Sequence, residues 1–174
     1  MGYSTSSLEP PDMLKVGCVC LAAALFYVVG ASRVSNPDKL TLAAIVPGAT
    51  MTQPFGCTTL VLEPFDSYCP THHVHTGVDL AAREGTPVYA AEAGTASIGF
   101  DPYGAGLYVA VSSGSHVRVL YCHLSKAIVK PGELVATGQV VGAVGATGLA
   151  TGPHLHFEVQ VDGRAVDPVA WLAS

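Results

Sequence analysis

Beyond Pro47, apolar and polar residues alternate over short stretches that glycines separate. Alternation with a period of two is typical of a β-strand with one buried face. The clearest case begins at His154, because every second residue from Leu155 to Val161 is apolar and the residues between them are polar. The pattern predicts six strands: Thr86–Ala91, Gly94–Phe100, Leu107–Ser112, His116–His123, Gln139–Val144 and His154–Val161.

These strands predict an all-β domain, an antiparallel β-sandwich or a barrel-like fold. The glycine-rich connections are short and leave little room for long helices. We expect the domain to occupy residues 47–174. Residues 34–46 are predicted to be a linker, since Ser35-Asn36-Pro37-Asp38 has the composition of a turn.

An uncharged apolar run from Val16 to Ser32, between Lys15 and Arg33, precedes the linker. As a helix it would be about 25 Å long, slightly less than the roughly 30 Å of a bilayer core. We therefore predict a tail at residues 1–15 and one N-terminal apolar helix at residues 16–33. This helix is interpreted as a transmembrane anchor that is retained in the membrane.

Two alternatives to a retained anchor stay open, namely a buried helix and a secretory signal peptide that is cleaved after Ala31. Small residues precede that position, as signal peptidase requires. The acidic residues Glu9 and Asp12 are unusual before a signal peptide, which favours the anchor. Anchor and signal peptide both place the C-terminal domain outside the cytoplasm, either anchored to the membrane or secreted.

Composition and cysteine positions narrow the class of protein. The chain has 174 residues, 49% of them hydrophobic, and a net charge of −5, which is enough for one core and excludes a basic surface for nucleic acid. Cys57 and Cys69 are in an irregular stretch and are predicted to form a disulfide in an oxidising compartment. Cys122 is predicted to be a buried free thiol, on the strand face opposite His123.

The histidines are arranged as metal ligands would be. His154 and His156 lie two residues apart on one strand, so both side chains face the same cleft. Upstream, His75 and Asp79 are separated by a segment whose glycine permits a tight turn. Two histidines and one carboxylate can bind a tetrahedral zinc ion and leave its fourth position open. A further histidine, His123, ends an alternating strand and is expected on the face of that strand that carries Val117, Val119 and Tyr121.

Three segments carry a resemblance to a known family. They are His-Thr-Gly-Val-Asp at His75–Asp79, Tyr-Cys-His-Leu at Tyr121–Leu124, and Thr-Gly-Pro-His-Leu-His-Phe-Glu at Thr151–Glu158. In this order they resemble the lysostaphin-type (LytM-like) zinc metallopeptidases, which are peptidoglycan endopeptidases. The resemblance extends from about Pro47 to the C-terminus.

This resemblance implies a zinc-dependent endopeptidase that hydrolyses peptide bonds in peptidoglycan cross-bridges or stem peptides. It implies that His75, Asp79 and His156 hold Zn2+, and that a zinc-bound water is the nucleophile. His123 and His154 are then expected beside this water as catalytic residues. One would transfer the proton to the leaving amine and the other would stabilise the oxyanion, and the pattern does not assign the two roles.

Other interpretations compete with an enzyme. Some members of the resembled family lack metal ligands and regulate other cell-wall hydrolases, and a wall-binding module is a further alternative. The complete ligand set favours the enzyme. We expect His72, His73 and His116 to be structural, because single histidines in β domains usually are. Glu158 shares the cleft face and is expected either to lie beside the metal ligands or to be solvated, without reacting itself. Loops around Gly104 and Gly148 are expected to border a groove for an extended peptide.

Overall fold

The computed structural model describes residues 1–2 and 39–174. The predicted apolar helix at residues 16–33 and the alternative cleavage site after Ala31 lie outside these residues. Within the described residues, no helix has both the length and the apolar character needed to cross a membrane.

The described residues contain twelve short strands and two short helices, connected mostly by tight turns. In chain order they are α1 (Leu42–Ile45), β1 (Thr50–Gln53), β2 (Gly56–Thr58), β3 (His73–His75), β4 (Val78–Ala81), β5 (Pro87–Tyr89), β6 (Gly94–Asp101), β7 (Gly106–Ser113), β8 (Val117–Ala127), β9 (Leu134–Val135), β10 (Val140–Val144), β11 (His154–Val161), β12 (Arg164–Val166) and α2 (Pro168–Leu172).

Ten strands form one branched sheet in which the strand pairs are antiparallel, as predicted for an all-β domain. Its main path runs in the order β1-β4-β11-β8-β7-β6-β9, and β12 pairs with β11. The long strand β8 pairs first with β11 and then, beyond Cys122, with β10, which also pairs with β5. A separate two-stranded sheet consists of β2 and β3.

The predicted strands all exist, and β11 has its predicted bounds. The unpredicted strands β1, β2, β3, β4, β9 and β12 have only two to four residues, too few to show a period. Asp167 begins α2 by accepting a hydrogen bond from the backbone N–H of Val169.

The core lies on the apolar face of β11 and β8. Leu155, Phe157 and Val159 are buried in the alternating pattern of β11, as the sequence predicts. The ring of Phe157 packs on Tyr121, with 5.6 Å between ring centroids, and the Tyr121 hydroxyl accepts a hydrogen bond of 2.7 Å from the backbone N–H of Ala91. Ile45, at the end of α1, is also completely buried, so the folded unit begins before Pro47.

Contrary to prediction, the side chains of β8 stop alternating between the two faces of the sheet at His123. Between the pairs Tyr121–Val109 and Leu124–Leu107, β8 has two residues and β7 has one, which defines a β-bulge. His123 has a φ of 60°, in the left-handed region that few non-glycine residues adopt. Tyr121 therefore faces the core, whereas Cys122 and His123 both line the polar groove. The expectation that His123 shares a face with Tyr121, and that Cys122 points the opposite way from His123, is wrong.

The predicted disulfide between Cys57 and Cys69 is present, with 5.4 Å between the two Cα atoms. It closes the loop that leads from β2 towards β3, and the two cysteines are 12 residues apart in sequence. Cys122 is a buried free thiol, as predicted.

We predict that replacing Cys57 and Cys69 together by serine lowers the free energy of unfolding by about 3 kcal/mol. The disulfide restricts the unfolded chain, and a loop of this size accounts for roughly that amount. Urea unfolding of the metal-free protein, with and without reductant, measures the effect. Reductant should destabilise the wild type and leave the double variant unchanged. A double variant as stable as the oxidised wild type would contradict the prediction.

Candidate metal centre and groove

Three strands bring the predicted metal ligands together. His75 is the last residue of β3, and the two-residue link Thr76–Gly77 leads directly into β4, which carries Asp79. Strand β11 pairs with β4, and His156 is the partner of Asp79 in their register. Residues distant in sequence therefore meet because hydrogen-bonded strand pairing fixes their positions.

The ligand atoms of these side chains form a nearly equilateral triangle. His75 Nε2 lies 3.1 Å from Asp79 Oδ1 and 3.0 Å from His156 Nδ1. His156 Nδ1 lies 3.0 Å from the same Asp79 oxygen. The side chain of His75 is completely buried, and those of Asp79 and His156 are only 14% and 13% exposed.

This triangle fits a small metal cation. Ligand atoms about 2.0–2.1 Å from a tetrahedral zinc ion are roughly 3.3 Å apart, so the site would expand by only a few tenths of an ångström. His75 Nδ1 is 2.9 Å from the Pro54 carbonyl and can donate a hydrogen bond to it, which leaves the Nε2 lone pair for a metal. The predicted ligands His75, Asp79 and His156 form a group that could hold a metal ion.

Electrostatics around the triangle also favour a cation. Burial opposes ionisation of Asp79, but its hydrogen-bonding and charge interactions with His156 and His75 outweigh burial and hold the pKa of Asp79 below its usual range. Burial likewise opposes charge on His156, yet hydrogen bonds to Asp79 and Glu158 raise its pKa to about 9. These shifts favour a positive charge at the site, and a metal ion can supply one in place of a proton.

Glu158 lies behind the triangle and holds His156 in place. Its Oε2 accepts a hydrogen bond of 2.7 Å from the Thr76 hydroxyl and lies 3.5 Å from His156 Nε2. Its Oε1 accepts a bond of 2.6 Å from Gln160. Burial of Glu158 opposes ionisation, but its hydrogen bonds from His156 and Thr76 lower its pKa. Glu158 thus lies beside a metal ligand and can orient it.

Glycine is required at position 77 because a larger side chain would not fit there, and not because the backbone is left-handed. Its φ is not positive, whereas a Cβ atom at this position would lie 2.9 Å from His156 Nε2 and 2.5 Å from the Phe157 carbonyl oxygen. Any side chain here would push β11 away from the β3–β4 link. The sequence indicated that this glycine matters because it permits a tight turn, whereas in the structure it matters because a Cβ atom would not fit.

The other two predicted site histidines lie together in the same groove. The ring centroids of His123 and His154 are 4.7 Å apart, and His123 is 6.0 Å from the His156 ring. His123 Nδ1 lies 2.8 Å from the Thr147 carbonyl, and His154 Nδ1 lies 2.8 Å from that of Gly152. In each neutral ring Nδ1 carries the proton for this bond, so Nε2 has a free lone pair.

His123 and His154 differ in their surroundings. Burial lowers the pKa of His123 to about 4, although its hydrogen bond to Thr147 acts in the opposite direction. His154 Nε2 lies 3.7 Å from Asp79 Oδ1, beside the metal triangle. Both side chains thus border the place where a group bound to the metal would react.

The groove has a volume of about 410 Å³ and three sides. Its floor is the polar face of β11 and β8, including Leu120, Cys122 and Glu158. One wall contains Tyr103, Gly104 and Leu149, and the Leu149 N–H donates a bond of 2.9 Å to the Gly104 carbonyl. The predicted glycine loops therefore border the groove. Gly148 packs against the backbone of Gly104 and Gly106, where a side chain would not fit.

The opposite wall is the disulfide-closed loop 57–69, which sequence reasoning did not assign to the site. Leu60, Leu62, Glu63 and Pro64 from this loop line the groove. The only signal in the sequence was the cysteine pair, which predicted a closed loop but not its location.

The remaining histidines lie outside the groove, consistent with a structural role. His72 stacks on the ring of Phe65 at 5.8 Å, and His73 Nδ1 is 2.8 Å from the Glu63 carbonyl oxygen. His116 forms an exposed contact of 2.6 Å with Asp162.

The chain is similar to known peptidases in sequence and in fold. Residues 73–168 match the model of peptidase family M23. Over 93 residues the chain is 44% identical to the peptidoglycan DD-endopeptidase ShyA of Vibrio cholerae, covering 53% of this chain and 22% of that protein.

Two solved structures share the fold. A zinc-containing peptidase from Vibrio cholerae has a TM-score of 0.63 at 33% identity, covering 75% of this chain and 40% of that one. The catalytic domain of the antimicrobial peptidase lysostaphin from Staphylococcus simulans has a TM-score of 0.60 at 33% identity, covering 72% of this chain and 93% of that one.

The chain belongs to peptidase family M23, because the family model covers more than half of its residues, including all five predicted site residues. It spans about a fifth of the length of curated relatives such as ShyA.

We predict that Gly77→Ala weakens zinc binding at least tenfold while the protein still folds. The added Cβ displaces His156, and misplacing a ligand typically reduces metal affinity ten- to hundredfold. Titration against a zinc chelator measures the affinity. Gly152→Ala is the matched control, because a Cβ there meets no atom within 4 Å. Equal affinities for the two variants would refute the steric role of Gly77.

Proposed function

We propose that the chain is a zinc-dependent endopeptidase that hydrolyses peptide bonds in peptidoglycan cross-bridges or stem peptides. The observation that carries this proposal is a three-atom ligand triangle with two further histidines beside it in one open groove. The named activity of ShyA and the likeness to the lysostaphin catalytic domain support peptidoglycan as the substrate.

His75, Asp79 and His156 would hold the zinc through Nε2, a carboxylate oxygen and Nδ1 respectively. Three protein ligands of this kind are typical of catalytic zinc sites, whereas structural sites have four. When bound, zinc supplies a Lewis acid and makes water reactive near neutral pH. The likeness to a zinc-containing peptidase from Vibrio cholerae supports zinc as the metal.

His123 and His154 would manage the proton and the negative charge of the reaction. Their Nδ1 atoms are held by backbone carbonyls, so each presents Nε2 to the groove in a fixed orientation. One Nε2 can accept the proton of the attacking water and pass it to the leaving amine. The other, once it is protonated at Nε2 as well, can donate a hydrogen bond to the oxyanion. The groove has no glutamate of an HExxH helix, and Glu158 is occupied by Thr76, His156 and Gln160, which favours a histidine as the base.

The groove suits an extended peptide. Gly104 and Ala105 line one side of it, where bulky side chains would narrow it. Its apolar residues on both walls can contact the side chains of a bound peptide.

The proposed reaction requires the domain to work outside the cytoplasm, where peptidoglycan is. The Cys57–Cys69 disulfide supports this location, since disulfides persist mainly in oxidising compartments. We propose that residues 16–33 anchor the chain in the membrane, with secretion after cleavage at Ala31 as the alternative. N-terminal sequencing of the protein from membrane and soluble extracytoplasmic fractions distinguishes them.

We predict that His123→Ala and His154→Ala each retain zinc and lose at least about a hundredfold in turnover, the usual scale for acid–base or oxyanion groups. Zinc content and the muropeptides released from purified cell walls should be measured on the same samples. His116→Ala is the control, because its exposed side chain lies away from the groove.

Near wild-type hydrolysis by either groove variant would remove that histidine from the mechanism. A wild-type protein with full zinc content that binds cell walls but releases no muropeptides would favour the non-catalytic regulator instead.

A further inference from the structure

A side chain from outside the sheet bridges β7 and β8 at the bulge that turns His123 into the groove. At this bulge β8 has two residues for one on β7, and the last register pair beyond it is Leu107–Leu124. The Leu107 N–H donates a bond of 2.9 Å to the hydroxyl of Thr147, in the loop between β10 and β11. This hydroxyl donates a bond of 2.9 Å to the Leu124 carbonyl. One hydroxyl group thus connects both strands where the bulge ends.

The same residue also holds the imidazole ring of His123. The Thr147 carbonyl accepts the 2.8 Å bond from His123 Nδ1, and the His123 N–H donates a bond of 2.8 Å to the Ala105 carbonyl. Because the φ of His123 is left-handed, its conformation depends on contacts with its surroundings and not on its own backbone preference. Thr147 therefore contacts the ring of the strained residue as well as the carbonyl of the residue that follows it.

Thr147 fits closely against the start of β7. Gly106 has a φ of 62°, and a Cβ atom there would collide with the carbonyl and hydroxyl oxygens of Thr147. The bond from the Leu149 N–H to the Gly104 carbonyl holds the far end of this loop segment. The Thr147 hydroxyl holds the end nearest to His123. Loss of this hydroxyl would therefore release the carbonyl that fixes the His123 ring.

The second groove histidine and the metal ligands are held by other groups. His154 Nδ1 is bonded to the Gly152 carbonyl, two residues earlier in the chain. The side-chain hydrogen bonds described for the metal ligands join them to one another, to the Pro54 carbonyl and to Glu158. A change at Thr147 should therefore act on His123 and leave His154 and the metal triangle in place.

We propose that Thr147 is a positioning residue for His123, because its hydroxyl bridges β7 and β8 at the bulge and its carbonyl thereby keeps the imidazole in the tautomer with the proton on Nδ1. In that tautomer Nε2 presents its lone pair to the groove. The expected effect on turnover rests on the proposed peptidase function. The tautomer of His123 is a property of the folded chain and is measured separately.

The test compares the zinc-loaded full chain with two variants of Thr147. Thr147→Val removes the hydroxyl and nearly keeps the shape of the side chain, whereas Thr147→Ser keeps the hydroxyl. Ser125→Ala is the matched control, because it also removes a hydroxyl from the irregular part of β8. The Ser125 hydroxyl donates to the carbonyls of Ala143 and Val144 and not to groups at His123.

Two kinds of measurement are made on the same samples. Nitrogen-15 NMR of the imidazole rings at neutral pH reports the tautomers of His123 and His154, and the His123 signals are identified by their loss in His123→Ala. Zinc content is determined, and kcat and KM are measured with a soluble cross-linked peptidoglycan peptide.

The wild type, Thr147→Ser and Ser125→Ala should all show His123 with its proton on Nδ1. In Thr147→Val, His123 should populate both tautomers while the His154 signals and the zinc content stay unchanged. Its kcat should fall about tenfold or more with little change in KM, because a small misplacement of a catalytic group can cost up to about a hundredfold in rate.

A wild-type His123 with its proton on Nε2 would overturn the proposal, and this result needs no variant and so holds even if valine prevents folding. An unchanged His123 tautomer and kcat in Thr147→Val would also overturn it, as would an equal loss in Ser125→Ala or Thr147→Ser. A protein that cleaves no peptide, but whose His123 tautomer depends on the Thr147 hydroxyl, would support the positioning role and refute the proposed hydrolysis.

Discussion

The close approach of three acceptor atoms, from His75, Asp79 and His156, is the constraint on which the rest of the site depends. Lone pairs about 3 Å apart repel one another unless a proton or a metal ion lies between them. Without metal, hydrogen bonds from the imidazole rings can fill this role, and the raised pKa of His156 favours a proton there. With metal, the same geometry becomes a binding site, and the buried hydrogen bonds of Pro54 and Glu158 keep the rings from turning away.

Strand pairing supplies that geometry, and the irregular parts of the fold supply the reactive groups around it. The β3–β4 link needs Gly77 so that β11 can approach, and the bulge at His123 turns a residue of β8 from the core to the groove. The left-handed φ of His123 raises the conformational free energy of the backbone locally, and strained residues of this kind often occur at functional sites. Loop 57–69 adds a wall that the sheet alone does not provide.

The long strands and the histidines on them could be predicted from the sequence, because a long strand shows the period-two alternation of apolar and polar residues. The alternation in β11 correctly separated His154 and His156 from the buried Leu155 and Phe157. Alternation failed for Cys122 and His123, since a bulge adds one residue without changing the sequence pattern. Strands of two to four residues are too short to show a period. The position of loop 57–69 depends on tertiary pairing of β2 with β3, which no local pattern specifies.

X-ray absorption at the zinc edge of the loaded protein tests the central claim most directly, since it reports the atoms around the metal. We predict nitrogen and oxygen neighbours at about 2.0–2.2 Å from the zinc, with the more distant scattering signature of two imidazoles and no sulfur. His154→Ala should leave this spectrum unchanged, whereas His75→Ala should abolish it. A sulfur neighbour at about 2.3 Å, which would implicate Cys122, or a loss of imidazole signal in His154→Ala would contradict the account.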